Sequence, residues 1–163
     1  MDHEFGKVGW DTRWWGFEAG WFVIAVVAST GVQARWAGLH LDNIVRKTRE
    51  RHQRVMVCAL GSRLADQIVR EFANRYGLVG RLGGGTNDSE VERFRHQVDG
   101  LGVEALVVTR SLISSARHVI AEELVWQADG LVAFVCKGSK GTVKLIDLVA
   151  ARGKPIKRLE FVP

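Results

Sequence analysis

Residues 57–69 read "VCALGSRLADQIV": an apolar run, then Gly61-Ser62-Arg63, then helical spacing. The apolar run belongs to "RVMVCAL" (54–60), whose consecutive apolar positions suit a strand buried on both faces. Over residues 62–76, Leu64, Ile68 and Phe72 fall on one side of a helix, and Gly77 is its natural C-cap. The turn between them has two readings. Gly61 lets the chain change direction, which is purely geometric. It also lets the backbone approach a ligand, while Ser62 can donate and Arg63 can fork onto a phosphate at the new helix's N-terminus. Asp66, one turn in, is placed to accept from a ribose hydroxyl or to complement the helix dipole.

The same unit recurs outward. "WFVIAVVA" (21–28) is a β-branched run, and over 32–52 Val32, Trp36, Leu39, Ile44 and Val45 can share a helix face. "LVGRLGG" is a short third strand. Asn87, with Glu90 three residues on, predicts a capped helix ending near Gly100-Leu101-Gly102. "EALVVT" is a fourth strand, 114–128 a helix, "GLVAFVC" a fifth strand, 140–152 a helix ending at Gly153, and "IKRLEF" a sixth strand. Strand–helix alternation with doubly buried strands predicts an α/β fold. The expected architecture is a Rossmann-like three-layer αβα sandwich with a mostly parallel sheet of about six strands. The domain spans 21–163. Residues 1–20 form a Trp-rich N-terminal arm, with four of the six tryptophans within residues 10–21. The arm can lie across the domain's own apolar surface, make a dimer contact, or form a stacking platform for bases.

The totals set the partner class. The 163 residues are 47% hydrophobic and 25% charged, with a formal charge of +5 and a pI near 9.6. That balance favours anionic partners: nucleotides, nucleic acid or acidic protein surfaces. The densest basic run, Arg46-Lys47-Thr48-Arg49-Glu50-Arg51, sits on an expected helix and reads as a solvated face. Cys58 and Cys136 fall in apolar strands, where free thiols are expected. With no Cys/His cluster at ligand spacing, no metal is expected. The acidic start lacks a signal peptide's basic region, and Trp21–Ala28 is far shorter than the ~20 residues that span a bilayer. A soluble cytoplasmic protein with no membrane partner is therefore expected.

In parallel α/β sheets, ligands sit beyond the carboxyl ends of the strands. Four strand-to-helix loops are candidates there. Ser29-Thr30-Gly31 follows the first strand, where N-capping alone would account for either hydroxyl. It carries no dinucleotide-binding G-x-G-x-x-G. Gly61-Ser62-Arg63 follows the second strand. Gly83-Gly84-Gly85-Thr86 follows the third and is not a P-loop, because no Gly-Lys-Ser/Thr comes after it. Gly138-Ser139-Lys140-Gly141-Thr142 follows the fifth, with Arg117 upstream. Several such loops on one edge point to a nucleotide or phosphorylated-sugar pocket.

The stretch "ARHVIAEELVWQADGLVAFVCKGSKGTVKLIDLVAARGKPI" (116–156) resembles the C-terminal half of the SLOG superfamily. That group includes DNA-processing protein A, the LONELY GUY phosphoribohydrolases, the molybdenum-cofactor carrier proteins and the YspA-type proteins. The matching elements are Arg117, Ala128-Asp129, Gly138 to Thr142, and Gly153-Lys154-Pro155-Ile156. "ALGSRLAD" is similar to the superfamily's second-strand loop. The resemblance implies a Rossmann-like domain over about residues 22–160 that holds a nucleotide-type ligand. It also has departures. Ala28-Ser29-Thr30-Gly31 stands where the superfamily has Gly-Ser-Arg, and Cys136-Lys137 replaces the Pro-Gly of the LONELY GUY motif. Leu145 occupies the position of that motif's catalytic-type glutamate, so the carboxylate is absent there.

Three functions compete. The first is a sensor or carrier that binds a nucleotide derivative without turnover, because His40, His52, His96 and His118 have no evident partners for catalysis. The second is an N-glycosidic hydrolase of nucleoside phosphates or NAD-like substrates, for which Asp66, Asp88 and Glu90 are the carboxylates available by position. The third is single-stranded nucleic acid binding, which would weaken steeply as salt rises. A homo-oligomer, most simply a dimer, is the expected assembly.

Overall fold

The computed structural model describes residues 20–59, 63–82, 91–98, 101–108, 128–136, 146–147 and 149–162. Seven strands form one sheet: β1 (Phe22–Ala28), β2 (Arg54–Ala59), β3 (Val79–Leu82), β4 (Val91–Val98), β5 (Leu101–Val108), β6 (Gly130–Cys136) and β7 (Ile156–Phe161). Their order is β3-β4-β5-β2-β1-β6-β7. The five strands β5-β2-β1-β6-β7 run parallel. β4 is antiparallel to both of its neighbours. Two helices are described in full, α1 (Ala34–Thr48) and α2 (Arg63–Tyr76). Residues 149–151 are also helical and end at Gly153, φ 71°.

The expected strands at 21–28, 54–60, 130–136 and 156–161 form within one residue of their bounds. The helix expected after Asn87 does not: residues 91–98 are β4. Val91, Phe94 and Val98 have helical spacing, but eight consecutive cross-strand pairs to β5 override it. The pair Val98↔Leu101 leaves only Asp99-Gly100 between the two strands, and Asp-Gly is the strongest short hairpin signal. The sheet therefore has seven strands rather than six, with an antiparallel margin on one side.

α1 and α2 pack on one face. Ile24 and Val26 of β1, Val55 and Val57 of β2, and Val132 and Phe134 of β6 meet Leu41, Val45, Ile68 and Phe72 in one core. The alternate positions Val23, Ala25, Met56, Cys58, Leu131, Ala133 and Val135 are buried too. Burial on both faces is why these strands read as unbroken apolar runs. On α1, Ala37, Leu41 and Val45 are buried, while Leu39 is 41% exposed, contrary to the face drawn from spacing. The two helices touch at Gly38, where a Cβ would lie 2.7 Å from the Glu71 Cβ and 3.2 Å from the Phe72 nitrogen. Past the end of α2, the Gly77 and Leu78 N–H groups donate to the Asn74 and Ala73 carbonyls in a Schellman motif, with Gly77 at φ 78°.

Candidate functional site

The strand order reverses at β1, with β2 on one side and β6 on the other. In open α/β sheets such a reversal opens a crevice at the carboxyl ends of the two strands. Here the loop leaving β1 is tied to the end of β6. The buried Ser29 donates its N–H to the Phe134 carbonyl at 2.9 Å, and its Oγ accepts from the Cys136 N–H at 2.5 Å. Gly31 sits at φ 99°, and a Cβ there would lie 3.1 Å from the Cys136 Sγ. Both the left-handed backbone and the close thiol favour glycine at this position. Thr30 is exposed.

The loop delivers the chain into α1. The N-cap is Gln33, whose side chain makes no capping bond, and the first turn holds no acidic residue. Capping by Ser29 or Thr30, expected from the sequence, is not made. Ser29 lies five residues before the first helical residue, and its Oγ serves β6 instead. A helix start without a side-chain cap leaves N–H groups and the positive end of the dipole for another acceptor.

Two more of the expected residues are described. Arg63 is the first residue of α2 and is exposed. Asp66 is in that helix's first turn, half-buried, with its Oδ1 out of contact with solvent. Both follow β2 and so stand on the same edge of the sheet as Ser29 to Gly31. Gly61, Ser62, Gly84, Gly85, Thr86, Asp88, Glu90, Arg117, Gly138, Ser139, Lys140, Gly141 and Thr142 lie outside the described residues. Cys58 is buried, Cys136 is half-buried, and neither is in a disulfide. Among the described residues, no group of His, Cys, Asp or Glu could hold a metal, and no helix is long and apolar enough to cross a membrane.

The opposite edge holds the Ala128-Asp129 and Gly153-to-Ile156 segments. Asp129 accepts from the Val23 N–H through Oδ2 at 2.7 Å, and its own N–H returns to the Val23 carbonyl at 2.7 Å. Lys154 donates from Nζ to the Ala128 carbonyl at 2.5 Å, and the Leu131 N–H donates to the Pro155 carbonyl at 3.0 Å. Burial holds the Lys154 ammonium below its ordinary pKa and Arg152 adds to that shift, while Asp129 opposes it. The Ala-Asp and Gly-x-Pro segments thus fasten the starts of β1, β6 and β7 together.

Beside these contacts is a cleft of about 640 Å³. Phe22, Ile44, Val132 and Ile156 form part of its apolar lining, and Lys47, Arg51, His52 and Lys157 are among its polar residues. The Phe22 and His52 rings stack with centroids 4.3 Å apart. No sequence motif marks this cleft, because its lining comes from four separate stretches of chain.

No protein-family model matches the chain, and no curated protein matches it. Among solved structures, ALG13, known from an NMR solution structure, is similar at 9% sequence identity and a TM-score of 0.44. The match covers 86% of this chain and 79% of that one.

Proposed function

We propose that the crevice between the carboxyl ends of β1 and β6 binds a nucleotide or nucleotide-derived ligand, with its phosphate against the start of α1. The observation that carries this reading is the Ser29-to-Gly31 loop. It is fastened to β6 at the point of strand reversal and leads into a helix start with no side-chain cap. Backbone amides at such a start suit an anion. The glycine-rich segment Gly138 to Thr142 follows β6 in the sequence. Arg63 follows β2 on the same edge and supplies a cation. The SLOG resemblance belongs to this reading, as does a helix layer on the second face, where burial of Ala25, Met56 and Ala133 supports it. The ligand role is sensing or carrying.

A second reading rests on Asp66. A half-buried carboxylate on the same edge could assist N-glycosidic cleavage by stabilising an oxocarbenium-like centre and activating water. Native mass spectrometry of the freshly purified protein, followed by denaturation and identification of any released molecule, tests the first reading. A co-purifying nucleotide is the expected result. Hydrolysis of that nucleotide, lost in Asp66→Asn, would move the assignment to the second. A protein that carries no nucleotide and binds none on titration with adenine and guanine nucleotides and NAD contradicts both.

A further inference from the structure

The cleft at the amino-terminal edge lies at the far end of β1 from the Ser29 loop. The 7 residues of β1, at about 3.3 Å each, put roughly 20 Å between the two edges. The floor of the cleft is apolar. Ile24, Leu131 and Val132 in its lining are buried, and Phe22, Ile44 and Ile156 are half-buried. The His52 ring stacks on Phe22 with 25° between their planes, so one wall is flat and aromatic. The rim is basic, with Lys47, Arg51 and Lys157 exposed against one carboxylate, Glu50. Among the described residues, none of these three cations is held in an ion pair. The end of α1 does not reverse this sign. Its dipole brings roughly half a negative charge, less than the surplus of cations. Its last carbonyls are also occupied. Thr48 Oγ1 donates to the Ile44 carbonyl, the Glu50 N–H to that of Lys47, and the Arg51 and His52 N–H groups to that of Thr48. At about 640 Å³ the cleft has the size of a small-molecule site. An apolar floor holds an apolar body, and the charge at the margin selects the sign of the head.

We propose that this cleft is a second ligand site, which takes a small organic anion with a flat apolar body. The body lies against Phe22, Ile44 and Ile156, and its carboxylate or phosphate faces Lys47, Arg51 and Lys157. His52, stacked on Phe22, completes the aromatic wall. The site is separate from the crevice at the carboxyl edge, because none of Ser29 to Gly31, Arg63 and Asp66 lines it.

The test is titration of the full chain with 2-naphthoate and with its neutral counterpart 2-naphthamide, followed by amide chemical shifts. 2-Naphthoate should move the amides of Thr48, His52, Gly130 and Ile156 and leave those of Ser29, Gly31 and Val32 in place. 2-Naphthamide should bind at least about tenfold more weakly. The double variant Lys47→Glu/Lys157→Glu should lose at least about tenfold in affinity for 2-naphthoate. Arg158 is on β7 beside Lys157, is exposed, and does not line the cleft. Arg158→Glu should therefore change the affinity by less than about threefold. No shift with 2-naphthoate would overturn the proposal, as would equal binding of the two probes or an affinity untouched by the double charge reversal. Shifts centred on residues 29–32 would place the anion at the start of α1 and overturn it too. An affinity that falls as the protein is concentrated would put a second copy in the cleft, with the same consequence.

Discussion

The two edges of the parallel strands are built for different work. At the amino edge, bonds from Asp129, Lys154 and Pro155 fasten strand to strand, and an aromatic, basic cleft lies beside them. At the carboxyl edge, Ser29 makes the one described side-chain tie between β1 and β6, and the helix that follows has no side-chain cap. Residues that look alike in a motif therefore divide by position. The Ala-Asp and Gly-x-Pro elements hold strands together, whereas at the other end the start of α1 carries no side-chain cap.

If both edges depend on one core, a core lesion should loosen them together. Phe72 is fully buried where both helices meet the sheet. Phe72→Ala is expected to cost about 3–5 kcal/mol in denaturant unfolding. It should lower exchange protection equally at Val23 and at Ser29, and unequal loss would mean that the edges unfold separately. Ser29→Ala should cost about 1–3 kcal/mol by leaving the Cys136 N–H without its acceptor. Its amide chemical-shift changes should centre on residues 29–32 and 134–136, and changes that reached Asp129 would erase the distinction between edges. Asp129→Ala is the mirror experiment. Its side chain is exposed to solvent, so about 1 kcal/mol is expected, with shifts confined to residues 22–24, 128–131 and 154–156. Arg46→Ala removes a 2.9 Å ion pair between the exposed Arg46 and the buried Asp42, and a ring contact with Tyr76. It should cost about 0.5–1 kcal/mol, with neither edge affected.

Strands with two buried faces were legible because both sets of alternate residues had to be apolar, as in Phe22–Ala28 and Gly130–Cys136. The end of α2 was legible because Gly77 sits at a positive φ that few other residues adopt cheaply. β4 was not. Its apolar residues have helical spacing, and only its pairing with β5 across Asp99-Gly100 makes it a strand. The role of Ser29 was illegible for a related reason. A serine shortly before a helix reads as a cap, and its actual partner, Cys136, lies 107 residues away in sequence. The basic cleft was hidden in the same way, since Lys47, His52 and Lys157 converge only through the sheet order.

The measurement that tests the anion seat most directly is Gln33→Asp, followed by both thermal unfolding and titration with the co-purifying nucleotide. Asp is a favoured N-cap, and its carboxylate would occupy the amides that the ligand phosphate is proposed to use. The expected result is opposite signs: stability up by about 0.5–1 kcal/mol and affinity down at least tenfold, about 1.4 kcal/mol. Higher stability with unchanged affinity would show that the ligand does not sit at the start of α1, and would contradict the assignment.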